Sequence, residues 1–276
     1  MPQLGERRRT VRIYLPPGYV QSQQHYPVLY MHDGQFVLGQ DNPGGLQLES
    51  ILDRLIISGR LSPLLVVAID NGPARWDEYS PWLNRNMARW VGEGWSAAEE
   101  GGEGDAYLRF IVETLKPQID QRYRTLSGPA HTAIGGASMG GVISVYAGLA
   151  YPQVFGLVLA QSTALWFAEN GEYWLADNAM LRWMAGRKVV TGQRFYLDMG
   201  DREWQQGAPP QIRSRSGDAL GWPFIYADGQ RALIAALQAS GAGTSQLKTV
   251  LEEGADHDAR AWSGRMDDAL IWLFSP

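Results

Sequence analysis

Short apolar runs recur along the whole chain and alternate with segments in which apolar residues return every three or four positions. The runs of strand length cover residues 11–15, 28–31, 64–69, 131–135, 157–161, 195–199 and 247–251. Between them, one helical face carries Leu48, Ile51, Leu52, Leu55 and Ile56, and a second carries Leu108, Ile111, Val112, Leu115 and Ile119. Strands that alternate with helices are joined by right-handed crossovers. The pattern therefore predicts an α/β fold with a mostly parallel central sheet and helices on both of its faces.

The middle of the chain carries almost no charge. Residues 125–168 contain no Asp, Glu, Lys or Arg, and His131 is the one side chain there that titrates near neutral pH. A run of this length also suggests a membrane span. Glycine and proline divide it, however, into pieces of strand and helix length, at Gly135, Gly136, Gly140, Gly141, Gly148, Pro152 and Gly156. A strand, a helix and a second strand explain the run better, so we expect the centre of the sheet here and no membrane segment.

Three segments interrupt the alternation, at residues 71–105, 163–190 and 202–226. They hold nine of the eleven tryptophans, which are Trp76, Trp82, Trp90, Trp95, Trp166, Trp174, Trp183, Trp204 and Trp222. Ligands of parallel sheets bind beyond the carboxyl ends of the strands, so we expect these aromatic side chains to converge above one site. The part at 92–105 is rich in glycine and acidic residues and should be mobile. The sequence predicts one domain over residues 1–276, with lid-like insertions at the three segments.

Composition narrows the kinds of site that this chain can hold. Its 276 residues include 24 Lys and Arg against 29 Asp and Glu, a formal net charge of -5 that argues against a nucleic-acid partner. The one arginine run, at positions 7–9, is interpreted as a solvated edge. Because cysteine is absent, disulfides, thiolate metal sites and a cysteine nucleophile are excluded, and no metal or cofactor is expected. The N-terminus lacks the basic-then-apolar order of a signal peptide, which favours a cytoplasmic location.

A G-x-S-x-G sequence lies in the charge-free middle, at Gly136-Ala137-Ser138-Met139-Gly140. It follows the strand-like run 131–135 and precedes helical spacing up to residue 151. On a sharp strand-to-helix turn, a serine hydroxyl stands above the sheet, and flanking glycines leave room for its strained backbone. The alternative is a glycine-rich turn whose serine only caps the helix. The motif and its context favour Ser138 as a nucleophile.

A serine nucleophile needs a base, and the chain has four histidines. His25 lies in a polar loop, and His32 precedes a turn. His131 begins the strand that leads into the strand-to-helix turn of Ser138 (the nucleophile elbow), so it lies at the opposite end of the sheet from Ser138. His257 follows the last strand-like run and comes after Ser138, as the base does in hydrolases with this elbow.

The acid of such a site should follow the strand-like run 195–199, where Asp201 and Glu203 both occur. A carboxylate that accepts the imidazole N–H fixes the tautomer of the base. The residues alone do not separate the two candidates.

Several segments together resemble the esterase group of the α/β-hydrolase superfamily that includes enterochelin esterases, feruloyl esterases and mycolyltransferases. The matching pieces occur in the family's order from about residue 8 to residue 273, as YPVLYMHDGQ (26–35), DEYSP (77–81), RYRT (122–125), GASMGG (136–141), QS (161–162) and GADH (254–257). The resemblance implies an α/β-hydrolase fold with Ser138 as nucleophile and His257 as base. It implies Glu203 as the acid, because the family places the acid three positions after the glycine that ends the strand. For the oxyanion hole it implies the backbone N–H groups of Met139 and Gln35.

The expected function is hydrolysis of a small-molecule carboxylic ester through an acyl-enzyme. Trp76, Tyr79 and Trp166 are candidates for contact with the substrate, with core and lid packing as the alternative. The arginines of the same segments either balance local acids or receive an anionic substrate, and they are Arg75, Arg85, Arg89, Arg182 and Arg187. Two other functions stay open: acyl transfer from the same acyl-enzyme, and ligand binding without catalysis. The oligomeric state is left undetermined.

Overall fold

The strands of the computed structural model, which describes residues 1–39, 42, 44–92 and 99–275, form one large sheet and one small sheet. In chain order they are β1 (Val11–Tyr14), β2 (Val28–His32), β3 (Leu65–Ile69), β4 (Leu83–Asn84), β5 (Glu100–Gly101), β6 (Thr132–Ala137), β7 (Leu157–Gln161), β8 (Arg194–Gly200) and β9 (Leu247–Glu252). The large sheet has the order β1-β3-β2-β6-β7-β8-β9, and β4 pairs with β5. Strand β1 runs antiparallel to β3, whereas the other neighbours in the large sheet are parallel.

The α-helices lie between these strands and after the last one. They are α1 (Gly34–Val37), α2 (Leu48–Ile57), α3 (Arg75–Glu78), α4 (Met87–Val91), α5 (Gly104–Arg109), α6 (Lys116–Arg122), α7 (Met139–Ala150), α8 (Ala179–Met184), α9 (Trp222–Ala239) and α10 (Ala259–Phe274). A π-helical stretch, Phe110–Leu115, joins α5 to α6, and short 3-10 helices cover Pro2–Leu4, Pro129–His131 and Leu165–Ala168.

Strand β6 lies at the centre of the large sheet, as the charge-free segment predicts. Its side chains alternate between two cores, because successive residues of a strand point to opposite faces. On one face, Ile134 belongs to a core that includes Val142 and Ile143 of α7. On the other face, Ala133 belongs to a core built with Leu52 of α2 and Leu270 of α10. Layers on both faces leave β6 buried, which explains why its sequence carries no charge.

The predicted elements occur with small changes at their ends. All seven strand-like runs are strands of the large sheet, and the first predicted helical face is α2. The second predicted face spans α5, the π-helical stretch and α6, and it buries Leu108, Ile111, Leu115 and Ile119. Both the α/β class and the mostly parallel sheet are confirmed.

Two interpretations of the sequence need correction. Segment 92–105 is ordered at its end, where β5 pairs with β4 and α5 begins at Gly104; residues 93–98, including Trp95, lie outside the described residues. The arginine run is not simply a solvated edge, because Arg9 is buried against the fully buried Glu78 at 2.6 Å. Arg7 contacts both Glu78 and Glu103. These ion pairs tie the N-terminus to α3 and to the residue before α5.

Within the described ranges, no helix combines the length and apolar character needed to cross a membrane.

Candidate active site

Ser138 occupies the sharp turn between β6 and α7. Its backbone has φ 58° and ψ −118°, a strained conformation for a residue with a side chain. The turn is tight because a Cβ on Gly136 would lie 3.0 Å from the Cα of Gly140. Ser138 donates its backbone N–H to the Gln161 carbonyl at 2.9 Å, which ties the turn to the end of β7. The hydroxyl is therefore presented at the carboxyl edge of the sheet, at the start of a helix.

A buried carboxylate and an imidazole meet beside this turn. Glu203 Oε2 lies 2.6 Å from His257 Nδ1, and both side chains are almost completely buried. Glu203 follows β8 and His257 follows β9, two neighbouring strands whose carboxyl ends share one edge. The alternative acid, Asp201, points elsewhere and accepts the Gly254 N–H at 2.7 Å in an exposed loop. The structure thus brings Glu203, not Asp201, to His257.

The other carboxylate oxygen of Glu203, Oε1, accepts two hydrogen bonds. It accepts the Ser162 hydroxyl at 2.6 Å and the Gly200 N–H at 2.7 Å. Ser162 in turn accepts the Trp262 indole N–H at 2.9 Å, and the same indole forms a T-shaped contact with the His257 ring. We call Ser162, Glu203, His257 and Trp262 the Glu203 network. Its hydrogen bonds fix the direction in which the carboxylate faces the imidazole.

The other three histidines lie in different surroundings. His25 is exposed, and His131 is exposed just before β6, at the end of the sheet opposite Ser138. His32 ends β2 and is buried, with Nδ1 2.9 Å from the Tyr107 hydroxyl. Burial lowers the pKa of His32 to about 4, so this imidazole is neutral at neutral pH.

A second buried carboxylate, Asp33, holds the loop that follows β2. Arg75 donates to both of its oxygens, at 2.7 and 2.9 Å, and the Asn71 amide donates to it as well. Burial alone would raise the pKa of Asp33, but the Arg75 guanidinium outweighs it and the pKa is lowered. Gln35 and Asn71 exchange two hydrogen bonds, at 2.7 and 2.9 Å. We call His32, Asp33, Gln35, Asn71 and Arg75 the Asp33 network.

The backbone N–H groups of Met139 and Gln35 both belong to the first turn of a helix. Met139 opens α7, and Gln35 is the second residue of α1. The first N–H groups of a helix have no acceptor within it and are ready to receive an oxyanion. The close approach of α1 to β3 depends on Gly34, whose Cβ would lie 2.7 Å from the backbone of Ala68.

A cavity of about 410 Å³ opens beside Ser138 and is lined mainly by aromatic side chains. Ser138 and Arg75 line it together with six aromatic residues, which are Trp76, Trp90, Trp166, Trp204, Trp222 and Tyr226. Trp76 and Trp166 thus border the cavity, as the sequence suggests. The interpretation of Tyr79 needs correction, because this side chain is completely buried and its hydroxyl accepts the Asp33 N–H at 3.0 Å. Tyr79 supports the loop after β2 and does not line the cavity.

Tyr226, near the start of α9, is a site residue that the sequence analysis misses. Its hydroxyl accepts the Trp166 indole N–H at 3.2 Å. Its ring centroid lies 5.0 Å from that of His257. Tyr226 thus borders the cavity beside Ser138 and contacts the His257 ring. Burial raises the pKa of Tyr226 well above its ordinary value, so the hydroxyl keeps its proton.

Of the arginines in the three aromatic segments, Arg75 borders the cavity. Three of them face acids: Arg75 pairs with Asp33, Arg85 with Glu99 and Arg182 with Asp177. Arg89 donates to backbone carbonyls, and Arg187 lies over the Trp183 ring. The described residues include no group of acidic or histidine side chains arranged to hold a metal ion.

Comparison with known proteins extends over almost the whole chain. The family model described as "Putative esterase" matches residues 3–273. The chain is 26% identical over 270 residues to Uncharacterized protein YbbA of Bacillus subtilis (strain 168), covering 98% of this chain and 93% of that protein. It is 29% identical over 173 residues to the Iron(III) enterobactin esterase of Escherichia coli (strain K12), covering 60% of this chain and 34% of that protein.

The fold is shared with solved esterases. An enterobactin esterase from Shigella flexneri, solved in the presence of 2,3-Di-hydroxy-N-benzoyl-serine, superposes with a TM-score of 0.70 at 22% identity. The match covers 99% of this chain and 57% of that one, so the chain spans little more than half the length of this structural relative. Because the family model matches nearly every residue, the chain belongs to the esterase family, whose chemistry is carboxylic ester hydrolysis.

Proposed function

We propose that this esterase works through an acyl-enzyme on Ser138, with His257 as general base and Glu203 as the acid that orients it. The observation that carries the proposal is the 2.6 Å contact between Glu203 Oε2 and His257 Nδ1 beside a serine on a strand-to-helix turn. With Nδ1–H donated to Glu203, Nε2 is left as the basic nitrogen. His257 takes the proton of Ser138 as Oγ attacks the ester carbonyl and returns it to the departing alcohol. Water then releases the acyl group by the same route.

The oxyanion is stabilised in this proposal by the N–H groups of Met139 and Gln35. Met139 starts α7 and Gln35 is the second residue of α1, so both N–H groups lie in the first turn of a helix, where negative charge is favoured. The Gln35 side chain supports this role because its two hydrogen bonds to Asn71 hold the loop in one position. Loss of one such donor costs on the order of 3 kcal/mol in the transition state.

The substrate in this proposal is an ester that carries an aromatic ring. Five indoles around one cavity offer planar, apolar surfaces that stack on such a ring, with Trp76 and Trp166 as contact residues. The structural relative was solved with a benzoyl compound, which agrees with an aromatic ligand. Trp76, Trp166 and Trp222, one from each of the three aromatic segments, act as the cover of the cavity. The ring centroids of Trp76 and Trp166 are 6.0 Å apart, and those of Trp166 and Trp222 are 5.3 Å apart.

Labelling with a fluorophosphonate probe tests the nucleophile. The unaltered protein should become labelled, and Ser138→Ala should not. A matched control is Ser58→Ala, which removes a hydroxyl at the end of α2 that bonds only the Leu55 carbonyl; it should label like the unaltered protein. Equal labelling of Ser138→Ala and the unaltered protein would contradict the proposal.

A panel of esters tests the substrate. Benzoyl and feruloyl esters should be hydrolysed with a higher kcat/KM than acetyl esters of the same alcohol, because only the former fill the aromatic cavity. Equal kcat/KM for both groups would contradict the aromatic preference. Acyl transfer would appear as an ester product when a sugar or alcohol acceptor is added, and a ligand-binding protein would bind the esters without turnover.

A further inference from the structure

A second cavity, of about 400 Å³, opens on the other face of the sheet from the aromatic cavity. Val37 and Leu46 line it, and both belong to the core that α2 and α10 build on one face. Trp166 and Trp222 of the aromatic cavity belong to the core of α7 on the opposite face. Arg75 borders both cavities. The two cavities therefore adjoin at the carboxyl edge of the sheet.

The second cavity reaches the proposed reaction centre. It is lined by Gln35, whose N–H is proposed to bind the oxyanion, and by Ala137, which immediately precedes Ser138. Trp262 lines it too, and its ring centroid lies 5.0 Å from that of His257. An ester carbonyl at Ser138 thus has one cavity on each side, and the two groups that an ester joins extend in opposite directions from its carbonyl carbon.

We infer that the second cavity binds the alcohol part of the ester, and that this alcohol is uncharged and carries neutral hydrogen-bonding groups on an apolar carbon frame. The inference rests on the proposed function of Ser138. In acylation the bond between the carbonyl carbon and the alcohol oxygen breaks, its electron pair goes to that oxygen, and the oxygen takes a proton from His257. The acyl group stays bonded to Ser138 Oγ, and Ser138 lines the aromatic cavity, so the acyl group occupies that cavity. The second cavity is left for the alcohol.

The side chains around the second cavity carry no net charge. Asp33 and Arg75 are the charged residues among the described ones that line it, and they pair with each other. His32 lines it as well and is neutral at neutral pH, because its pKa is about 4. A charged alcohol would lose its hydration in this cavity without gaining a counter-charge, so the lining favours an uncharged one.

Apolar and amide side chains share the lining of the second cavity. Phe36 and Leu46 supply apolar surface, and Gln35 and Asn71 bring side-chain amides. Each amide has two N–H donors and an oxygen with two lone pairs. The bonds that these two residues make to each other and to Asp33 use part of this capacity. The amides can therefore bind a hydroxyl or amide group of the alcohol while its carbon frame packs on the apolar surface.

Four benzoyl esters test the class of alcohol, because they share one acyl group. They are 2-acetamidoethyl benzoate with a neutral amide, benzoylcholine with a cation, 3-(benzoyloxy)propanoate with an anion, and methyl benzoate with no further group. After division by each ester's rate of alkaline hydrolysis, kcat/KM for the acetamidoethyl ester should exceed the other three about tenfold, the size of a hydrogen bond and a buried CH₂ group. An equal or higher value for any of the other three would overturn the inference.

Phe36→Trp and Leu46→Phe add bulk to the second cavity from two of its lining residues. Both variants should lose the advantage of the acetamidoethyl ester, whereas kcat/KM for methyl benzoate should stay within about threefold. Release of benzoate from preformed benzoyl-enzyme should stay within about twofold, because the alcohol has left by then. Phe274→Trp is the matched control and should change none of these values. Phe274 packs on the same core as Phe36 but lies with His131 at the other end of the sheet.

The outcomes separate the cavity from the rest of the site. Equal losses for the acetamidoethyl and methyl esters in both bulky variants would give the lining a merely structural role and overturn the inference. Slower release of benzoate would place the acyl group in the second cavity and overturn it too, as would unchanged kcat/KM for both esters. Hydrolysis of benzoyl esters by Ser138→Ala at the unaltered rate would instead count against the proposed function.

Discussion

The regions on the two sides of Ser138 contain the same types of side chain, but these side chains bind different partners. Each side has a histidine and a buried carboxylate near the carboxyl end of a strand. In the Glu203 network the carboxylate contacts the imidazole of His257 at 2.6 Å. In the Asp33 network the carboxylate is bound by the Arg75 guanidinium instead, and His32 contacts the Tyr107 hydroxyl.

The partner of each group decides what it does. In the proposed mechanism, the carboxylate beside His257 stabilises the positive charge that this ring gains as general base. His32 has no carboxylate on its ring nitrogen, and burial lowers its pKa to about 4, so it stays neutral. Asp33 has its charge neutralised by Arg75 and serves to hold the loop that carries Gln35. The same side-chain types thus form the proposed general base with its acid on one side and hold a loop on the other.

The largest effect is expected from Glu203→Gln, which removes the carboxylate charge on the His257 side. The amide keeps the shape but presents no charge to His257 and favours the wrong tautomer, so kcat should fall by about 10⁴. Steady-state kinetics on an activated ester measures it. Asp201→Asn is the matched control and should change kcat less than about twofold, because Asp201 is exposed and bonds only the Gly254 N–H. A large loss in the control and none in Glu203→Gln would reverse the assignment.

On the other side, Asp33→Asn should act mainly on stability. It leaves the largely buried Arg75 without its counter-charge, which should lower the free energy of unfolding by about 3–5 kcal/mol. Urea denaturation measures the loss. The double variant Asp33→Asn with Arg75→Met removes both charges and should recover part of it. If Asp33→Asn unfolded like the unaltered protein, the ion pair would not be what holds this loop.

Within the Asp33 network, Gln35→Pro removes the backbone N–H that is proposed to face the oxyanion. We expect kcat/KM to fall by about 10²–10³. Gln35→Ala is the paired variant: it keeps the N–H and removes only the side-chain bonds to Asn71, so its loss should be clearly smaller. Equal losses in the two variants would mean that the side chain, not the N–H, matters.

The smallest effect is a pH dependence that belongs to His32. Its pKa is about 4 in the folded protein against 6.5 for an ordinary histidine. As the pH falls, the unfolded chain binds the proton first, so the unfolded state gains stability. Between pH 7 and pH 5 this should cost the folded protein about 2 kcal/mol. Denaturation at the two pH values measures this effect: the free energy of unfolding of His32→Asn should fall by that much less than that of the unaltered protein. The same pH dependence of stability in both proteins would place His32 in a more polar environment than the structure gives it.

Regular patterns made the fold predictable from the sequence. The strands of the large sheet are continuous apolar runs, and the chain order of Ser138, Glu203 and His257 follows from strands that share one carboxyl edge. The separation of Glu203 from Asp201 depended on a family resemblance, because the two lie two residues apart in one loop.

Other features could not be inferred from local pattern. The burial of Arg9 depends on Glu78, which is 69 residues away. Tyr79 and Trp76 are both aromatic and lie in the same segment of the sequence. At the end of α3, however, Tyr79 contacts Asp33 and does not line the cavity. Tyr226 was missed because nothing in its neighbourhood reveals that α9 brings it to Ser138. Each of these positions is set by contacts between distant segments, which no window of sequence contains.

Because several indoles surround one cavity, binding of a ligand there should change the circular dichroism and fluorescence of the protein. Trp76, Trp90, Trp166 and Trp222 lie within about 6 Å of a neighbouring indole, so their excited states couple and should give a pronounced near-ultraviolet circular dichroism band. Trp204, which is 48% exposed, adds an emission that a bound ring would quench. The molecule therefore carries its own spectroscopic reporter, and ligands can be ranked without attaching a dye or waiting for turnover.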